Sequence, residues 1–395
     1  MEHWHHHPIE LKAIGADDMQ RAWDIAAQAF SHGERSDYTA DSFKTPFDAY
    51  GVYDEDGLQA QVGVNRYKVF MGAGPIMEMA GVGGVSCLPA KRGRGYIGRC
   101  LVHALEQMQD TGQHISMLFP FSQAFYRKYG WEAGGLRRFY EVPSKVLQVV
   151  KETSEVRAAT AEDNAAIISC YAAYAARYRG MIQRTDQEWK GILDDGKKHF
   201  TYTYLYAPHE AVEGYITYRK GSWEKTYIRE FISLNSTAQR ALLGLLHRLD
   251  MQVEKFSWHA PCDDTMWWNI GHNDIQTTVE PACMVRVVDV PAALRLWRTA
   301  PGLRAGACVE VLDPHAPWNQ GVWEVECEAG VVTVKRGHET PQLTLDIQAF
   351  SQAFCGAATL MAIRTARGMD VRDEAGFTAL NEILSGPPMW MNDGF

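Results

Sequence analysis

The sequence predicts an α+β protein of three consecutive units, spanning residues 1–150, 151–285 and 286–395. Three observations lead there. At 395 residues the chain is longer than one hydrophobic core organises, so two or three domains are expected. The order of helix and strand patterns in the first unit recurs in the second, weakly in sequence but in the same layout, which reads as an internal structural repeat. No linker rich in Gly, Ser or Pro separates the units, so they are expected to pack tightly.

The first unit opens with "DMQRAWDIAAQAFSH" (18–32), whose apolar residues fall at helical spacing. "AYGVYDEDGLQAQVGVNRYKVFMG" (49–72) reads as strand, Asp-Gly turn, strand. "IMEMAGVGGVSCLP" (76–89) is a glycine-rich strand, and "GRCLVHALEQMQDTG" (98–112) is a helix ending in Thr-Gly. A short buried strand at 114–122 precedes "QAFYRKYGWE" (123–132), the start of another helix. In the second unit a helix over 155–178 takes Asp163 as a candidate cap, and strand pairs follow from 200 to 235. "STAQRALLGLLHRLDMQ" (236–252) is an amphipathic helix capped by Ser236, and "KFSWHAP" is a strand. The third unit begins near "MVRVVDVPAALRLW" (284–297) and has strands at 308–312, 321–327, 330–335 and 343–346. Helices are expected over 348–367 and over "GFTALNEILSG", before the chain closes in "PPMWMNDGF".

Composition removes several classes of function. Apolar residues make up 46% and charged residues 22%, ordinary for a globular protein. The net charge of −9 repels nucleic acid. No apolar run reaches the length of a membrane span, and "MEHWHHHPIE" lacks the apolar centre of a signal peptide. A cytoplasmic protein with neither nucleic acid nor membrane as partner is therefore expected. His5, His6 and His7 can bind metal, but no second ligand cluster accompanies them, and no metal is expected. Cysteines at 87, 100, 170, 262, 283, 308, 327 and 355 form no C-x-x-C pair and read as reduced core residues.

The stretch "VSCLPAKRGRGYIGR" (85–99) carries the chemistry. Glycines at 93, 95 and 98 let the backbone approach a ligand, and Arg92, Arg94 and Arg99 supply charge-assisted bonds. The helix that follows offers unpaired N–H groups and a partial positive charge at its start. Together they suit a phosphate-bearing ligand. A solvated surface turn is the competing reading. The context favours the cradle: a strand with Gly83 and Gly84 leads in, an apolar helix leads out, and an aromatic stretch lies one strand later.

This combination resembles the Gcn5-related N-acetyltransferases (GNAT), whose acetyl-CoA loop reads roughly V-x-x-x-P-x-x-R-G-x-G-x-[GA]. Val85, Pro89, Arg92, Gly93 and Gly95 stand in register. Ile97 departs from the usual small residue, and a bulky aliphatic there is typical of one branch, the Eis (enhanced intracellular survival) family. "FYRKYGWE" (125–132) resembles that family's I-Y-x-R-F-G-Y, "DIQAFSQAFCGAATLMAIRTAR" its sterol-carrier-like last domain, and the final phenylalanine its terminus.

The resemblance implies a catalytic GNAT domain, a degenerate second one and a sterol carrier protein 2-like domain whose C-terminus reaches the active site. It also implies a homo-hexamer built as a trimer of dimers. Only the first domain is expected to bind acetyl-CoA, since "NSTAQRALLG" in the second has no Gly-x-Gly and a single cation. Val85, Ser86 and Cys87 are expected to offer backbone groups to the pantetheine arm. Gly93, Arg94, Gly95, Tyr96, Ile97 and Gly98 are expected to hold the pyrophosphate, with Phe121 and Ser122 at further cofactor contacts. Tyr126 matches the family's general acid, although Tyr129 suits an acid or a packing role equally well. The base implied is the α-carboxylate of Phe395, its ring an anchor, with Glu78 on the preceding strand as the rival.

The expected activity is acetyl-CoA-dependent N-acetylation of a cationic small molecule of aminoglycoside or polyamine type, or of lysine. Net acidity and the carboxylates Asp393 and Glu382 near the tail suit such an acceptor. Acceptor contacts are expected on loops such as 24–40, which contain Asp24, His32, Glu34 and Asp37, and the resemblance assigns none of these four a role. Two alternatives remain: transfer of another acyl or small carbon unit in natural-product tailoring, and a non-catalytic lipid or small-molecule carrier.

Overall fold

The computed structural model describes residues 9–30, 47–193, 201–208, 211–219, 222, 224–249 and 251–395. His5, His6, His7, His32, Glu34 and Asp37 lie outside the described residues.

The first sheet is eight-stranded. Its path runs through β1 (Glu10–Ala13), β2 (Phe47–Asp54), β3 (Gly57–Met71), β4 (Ile76–Cys87) and β5 (Ile115–Leu118), then β15 (Met284–Val287) and β6 (Glu132–Ala133). Where β2 stops, β9 (Arg179–Ile182) takes over the edge of β3, pairing Val69 with Ile182 and Met71 with Arg179. The β2–β3 turn closes on Gly57 at φ +89°, a conformation that favours glycine. On one face lies helix α2 (Tyr96–Asp110), which buries Leu101, Ala104, Leu105 and Met108 against Val52, Val62, Ala80 and Val82. The opposite face is shared. Helix α1 (Met19–Phe30) packs Ala22 and Ile25 on Tyr53 and Leu58. Further along, Val69, Met77, Met79 and Met117 join one continuous core with the third unit.

The second sheet has seven strands in the order β14 (Gln276–Pro281), β7 (Leu136–Pro143), β13 (Lys255–Pro261), β12 (Lys225–Ser233), β11 (Gly214–Arg219), β10 (Thr201–Tyr206) and β8 (Val156–Ala158). Its helices include α4 (Asn164–Ala175), α5 (Asp186–Leu193) and α6 (Ser236–His247). The repeat is visible in topology. In the first sheet β4 and β5 pair in parallel across α2, and in the second β12 and β13 pair in parallel across α6. Two local expectations change. Asn235, not Ser236, caps α6, accepting from Ala238 N at 2.9 Å. The carboxylate of Asp163 reaches backward to Thr160 N at 2.7 Å and to Arg157, rather than forward into α4.

The sheets exchange strands across the limits drawn at 150 and 285. Residues 136–143 pair within the second sheet and 284–287 within the first. Strand pairing is non-local, and hydrophobic patterning reports which face is buried, not which sheet receives the strand.

The third sheet runs β18 (Val331–Arg336), β17 (Gly321–Glu328), β16 (Ala305–Leu312), β19 (Leu343–Asp346), β20 (Asp370–Val371). It carries α8 (Val290–Leu296), α9 (Ile347–Phe354), α10 (Leu360–Arg367) and α11 (Glu374–Leu384). The helix expected over 348–367 is two helices. Gly356 adopts φ +74°, where a Cβ would come within 2.6 Å of the Pro387 carbonyl, and Thr359 restarts the chain by capping α10. The short helices α3 (Gln123–Arg127) and α7 (Met266–Ile270) complete the set. After α11 the tail runs back along β9. Arg179 N donates to Pro388 O and Trp390 N to Arg179 O, at 3.0 and 2.9 Å, and Trp390 is buried. No helix of the described residues is long and apolar enough to cross a membrane.

Candidate active site

Strand β4 creates an opening by changing its pairing midway. Gln61 faces Ser86 and Gly63 faces Gly83, so Gly84 and Val85 together oppose the single Val62, a β-bulge with Gly84 at φ +60°. On the other side, pairing of β4 with β5 ends at Val82–Leu118. Beyond that point the two strands part, and the β5-facing backbone groups of residues 83–87 have no strand partner there.

The parted strands lead into a cleft of about 670 Å³. Val85, Ser86, Cys87, Gly93, Gly95, Tyr96, Ile97, Gly98 and Phe121 line it, which brings together nine of the eleven residues assigned to the cofactor from sequence. The side chains at the bulge are turned to structure: Ser86 Oγ accepts from Gln61 at 3.1 Å and donates to Gly84 O at 3.1 Å. Burial pushes the Cys87 thiol up from its ordinary value, so it stays a thiol. Arg94 is exposed on the loop outside that lining. Ser122 caps α3, accepting from Phe125 N at 3.3 Å.

Gly93 and Gly95 sit at φ +79° and +78°, and a Cβ on either would point into open space. Gly95 is the N-cap of α2 and lends no side chain to the first turn, so the leading N–H groups of that helix are free to meet an anion. Gly98 differs. A Cβ there would strike the Tyr129 hydroxyl, so this glycine makes room for Tyr129. The four cations of the loop also divide. Lys91 is bound to Asp54 at 2.7 Å and Asp56 at 3.1 Å, which staples the loop to the β2–β3 hairpin. Arg92 lines the cleft with its Nε donating to the Cys87 carbonyl at 3.4 Å, and Lys128 of the later motif lines it as well.

Each residue of "FYRKYGWE" has a task. Phe125 lines the cleft and packs edge-on to Tyr126. Tyr126 is 2% exposed, and burial alone raises its phenol well above the ordinary value. Arg127 grips Glu132 with two bonds of 2.7 Å. Lys128 offers its carbonyl to His315 at 2.9 Å, which ties the cleft rim to the third unit. Tyr129 packs against Gly98, Phe125 and His315 and also lines the cleft. Gly130, at φ +93°, leaves space for the buried Arg286, which pairs with Asp313 of the third unit at 2.9 Å. Trp131 is fully buried and donates to Ser116 at 3.2 Å.

The chain terminus arrives on the sheet face opposite α2. The Phe395 ring packs on Gly81, with Tyr67 and Phe119 each 5.2 Å away between ring centroids. Phe119 follows the end of β5, and two residues later Phe121 lies 5.2 Å from Tyr126. The segment 119–126 therefore touches the terminus at one end and carries Tyr126 at the other.

Glu78 is placed differently. Along β4, Met79 and Gly81 face the tail, so the alternation puts Glu78 on the other face with Ala80. There it pairs with Lys68 at 3.3 Å and is about half exposed. Asp393 also departs from its expected role: it pairs with the buried Arg184 instead of lining an acceptor site. Glu382 is exposed on α11, and Asp24 takes a bond from Gln20 within α1. Among the described residues no group of three His, Cys, Asp or Glu is placed to hold a metal ion. The cleft also takes in Ala29, Phe30, Phe125 and Lys128, none of which the sequence singled out. The last two lie within the quoted motif and were open to discovery from their spacing; Ala29 and Phe30 were not.

Comparisons agree with this architecture. Models described as "Acetyltransferase (GNAT) domain" match residues 10–134 and 180–287, and one described as "Sterol carrier protein domain" matches 290–392. An uncharacterized N-acetyltransferase of Streptomyces avermitilis is 24% identical, over 98% of this chain and 99% of that protein. Another, of Streptomyces coelicolor, is 26% identical over 87% of this chain and 89% of that one. Among solved structures, a GCN5-related N-acetyltransferase of Anabaena variabilis superposes with a TM-score of 0.88 at 21% identity, covering 98% of this chain and all of that one. Eis1 of Mycobacterium abscessus superposes with a TM-score of 0.79 at 18% identity, with the same coverage. At these identities the structural likeness carries the fold.

Proposed function

The chain is an acyltransferase of the GNAT type, Eis-like in ending with a sterol-carrier-type domain, and from this we propose that it acetylates an amine of a cationic small molecule, of polyamine or aminoglycoside type, or a lysine side chain. The GNAT domains imply acetyl-CoA as co-substrate, and the cleft fits it: open space faces Gly93 and Gly95 where a side chain would intrude. In this reading residues 83–87 present backbone groups to the pantetheine amides, and the start of α2 with Arg92 meets the pyrophosphate. Bound acetyl-CoA supplies an acetyl group activated as a thioester.

The chain's own groups handle protons. The Phe395 carboxylate takes one from the attacking amine, and the Tyr126 hydroxyl gives one to the departing thiolate. An ordinary phenol, with a pKa of about 10, is already protonated at neutral pH, as a donor must be, and burial raises this one further. The observation that carries the proposal is the seat of the Phe395 ring on Gly81, beside the point where β4 and β5 part. The aromatic surround of Tyr67, Phe119 and Phe395 suits a cation, as does the net charge of −9.

The carrier alternative is weaker. The cavity between α9, α10 and α11 is about 220 Å³ and includes Arg179, Asn381 and Ser385 in its lining, below the roughly 300 Å³ of a typical ligand site. The test is incubation of the full chain with acetyl-CoA and spermidine, an aminoglycoside or a lysine peptide. Acetylated amine by mass spectrometry with release of free CoA thiol is expected. A co-purifying lipid and no acetylated amine with any acceptor overturns the reading in favour of a carrier.

A further inference from the structure

The second unit has no Gly-x-Gly ahead of α6, yet it holds the last residues of the chain. Arg184 follows β9 and its side chain is 1% exposed. Its guanidinium lies 4.1 Å from the Tyr171 ring and 4.7 Å from Trp189. Its Nη2 donates to Glu230 of β12, itself 1% exposed, and its Nε donates to the two oxygens of Asp393 at 3.1 and 3.2 Å. Glu230 also accepts from the Tyr215 hydroxyl at 2.7 Å and from Asn392 Nδ2 at 3.3 Å. One buried cation thus joins a carboxylate of the second unit to a carboxylate two residues from the terminus.

We propose that Arg184 is a positioning residue: with Glu230 it grips Asp393 and so sets where Phe395 lies. This rests on the reading of Phe395 as the base. The backbone pairing of the tail with Arg179 ends at Trp390. From 392 onward the side-chain anchors are Asn392 on Glu230, Asp393 on Arg184, and the Phe395 ring. Phe395 lies two positions beyond Asp393, with only Gly394 between them, a reach of about 7 Å at most. A shift at the grip therefore passes directly to the terminal carboxylate. Without the guanidinium, Glu230 and Asp393 would face each other as like charges, and the one on the chain end would leave. The unit without the Gly-x-Gly thereby completes the site of the unit that has it.

The experiment uses the full-length Asp393→Asn enzyme, in which Arg184 keeps Glu230 and the fold keeps its buried pair. A second variant, Arg184→Lys, is judged only where its Tm matches the parent. Two quantities are read: the rate at which carboxypeptidase releases Phe395, and kcat with KM for acetyl-CoA, using spermidine as acceptor. Release should quicken about tenfold or more, kcat should fall by roughly 10- to 100-fold, and KM for acetyl-CoA should stay within about twofold. In a chain lengthened by one alanine, Asp393→Asn should lower kcat no further. An unchanged release rate overturns the grip, whatever kcat does. Faster release with unchanged kcat supports the grip and instead removes Phe395 as the base.

Discussion

The Phe395 ring occupies the space above Gly81: a Cβ on that glycine would come within 2.8 Å of the ring and 2.7 Å of Tyr67. Gly81 does not adopt a positive φ, so the demand there is for space alone. Gly81→Ala should therefore lift the tail without straining the strand. We expect kcat to fall at least about tenfold, on the rule that a displacement near 1 Å costs up to 100-fold, with calorimetric CoA affinity retained. Full activity in Gly81→Ala would show that the ring's seat does not set the chemistry.

Tyr126 separates catalysis from packing cleanly. Burial alone raises its phenol, with no neighbouring charge contributing. Tyr126→Phe keeps the ring contacts with Phe121 and Phe125 and removes one oxygen. We expect kcat to drop by roughly 10²–10⁴-fold, the range of a general acid, while acetyl-CoA binding and Tm hold. A kcat near that of the parent would assign thiolate protonation to water or another group.

Gly95→Val should weaken CoA binding, because its φ of +78° disfavours a side chain and a Cβ would enter the cleft. Gly271 is a matched control, at φ +57° with nothing within 4 Å and in the other sheet's unit. Gly271→Val should carry similar strain and leave CoA affinity alone. Gly244, the helix glycine of the second unit, cannot serve, since its Cβ would collide with Thr153. Equal CoA affinity in all three proteins by calorimetry would remove the cradle assignment.

Legibility followed locality. The strand–cradle–helix order and the motif at 125–132 depend on neighbours in sequence, and "VSCLPAKRGRGYIGR" showed them as residue types at fixed spacing. The roles inside the motif were hidden because each partner is distant: Gly130 answers to Arg286, and Lys128 to His315. The same holds for Lys91, whose partners Asp54 and Asp56 lie 37 and 35 residues away. Asp393 looked like an acceptor carboxylate because its partner, Arg184, is 209 residues away. The strand exchange of β7 and β15 had no sequence signal either, since pairing partners leave no local pattern.

Glu132 supplies a pH prediction. Burial by itself would raise its pKa, but the twin bonds from Arg127, the Ala133 N–H and the charge of Arg367 outweigh burial and lower it. The pair anchors the end of α3, the helix that carries Tyr126. A depressed folded value means the stabilisation is complete above the unfolded carboxyl value of about 4.3 and is lost as pH falls through the lower folded value. Arg127 is about half exposed, so solvent discounts the pair, and Glu132→Gln should cost only roughly 1–2 kcal/mol at neutral pH. Denaturant titrations should show that difference shrinking as pH falls below about 4.3. A difference independent of pH would mean that shape, not charge, holds α3.

The terminus offers the sharpest test. If the Phe395 carboxylate is the base, adding one alanine turns that carboxylate into a neutral amide and moves the charge by about 3.5 Å. General-base reach is roughly 3 Å, or one water further, so the displaced charge cannot replace it. The ring can keep its seat on Gly81 in the lengthened chain, and the grip on Asp393 is two residues upstream. Stability and CoA binding should therefore change little, while turnover falls by about 10²-fold or more. Glu78→Gln provides the contrast. Glu78 lies on the other face of β4, exposed and paired with Lys68, where an exposed pair is worth at most about 1 kcal/mol. Its replacement should leave kcat within about twofold. The comparison is kcat for the native, alanine-extended and Glu78→Gln proteins with spermidine. An active extended chain beside a dead Glu78→Gln would transfer the base to the strand and leave the tail as packing.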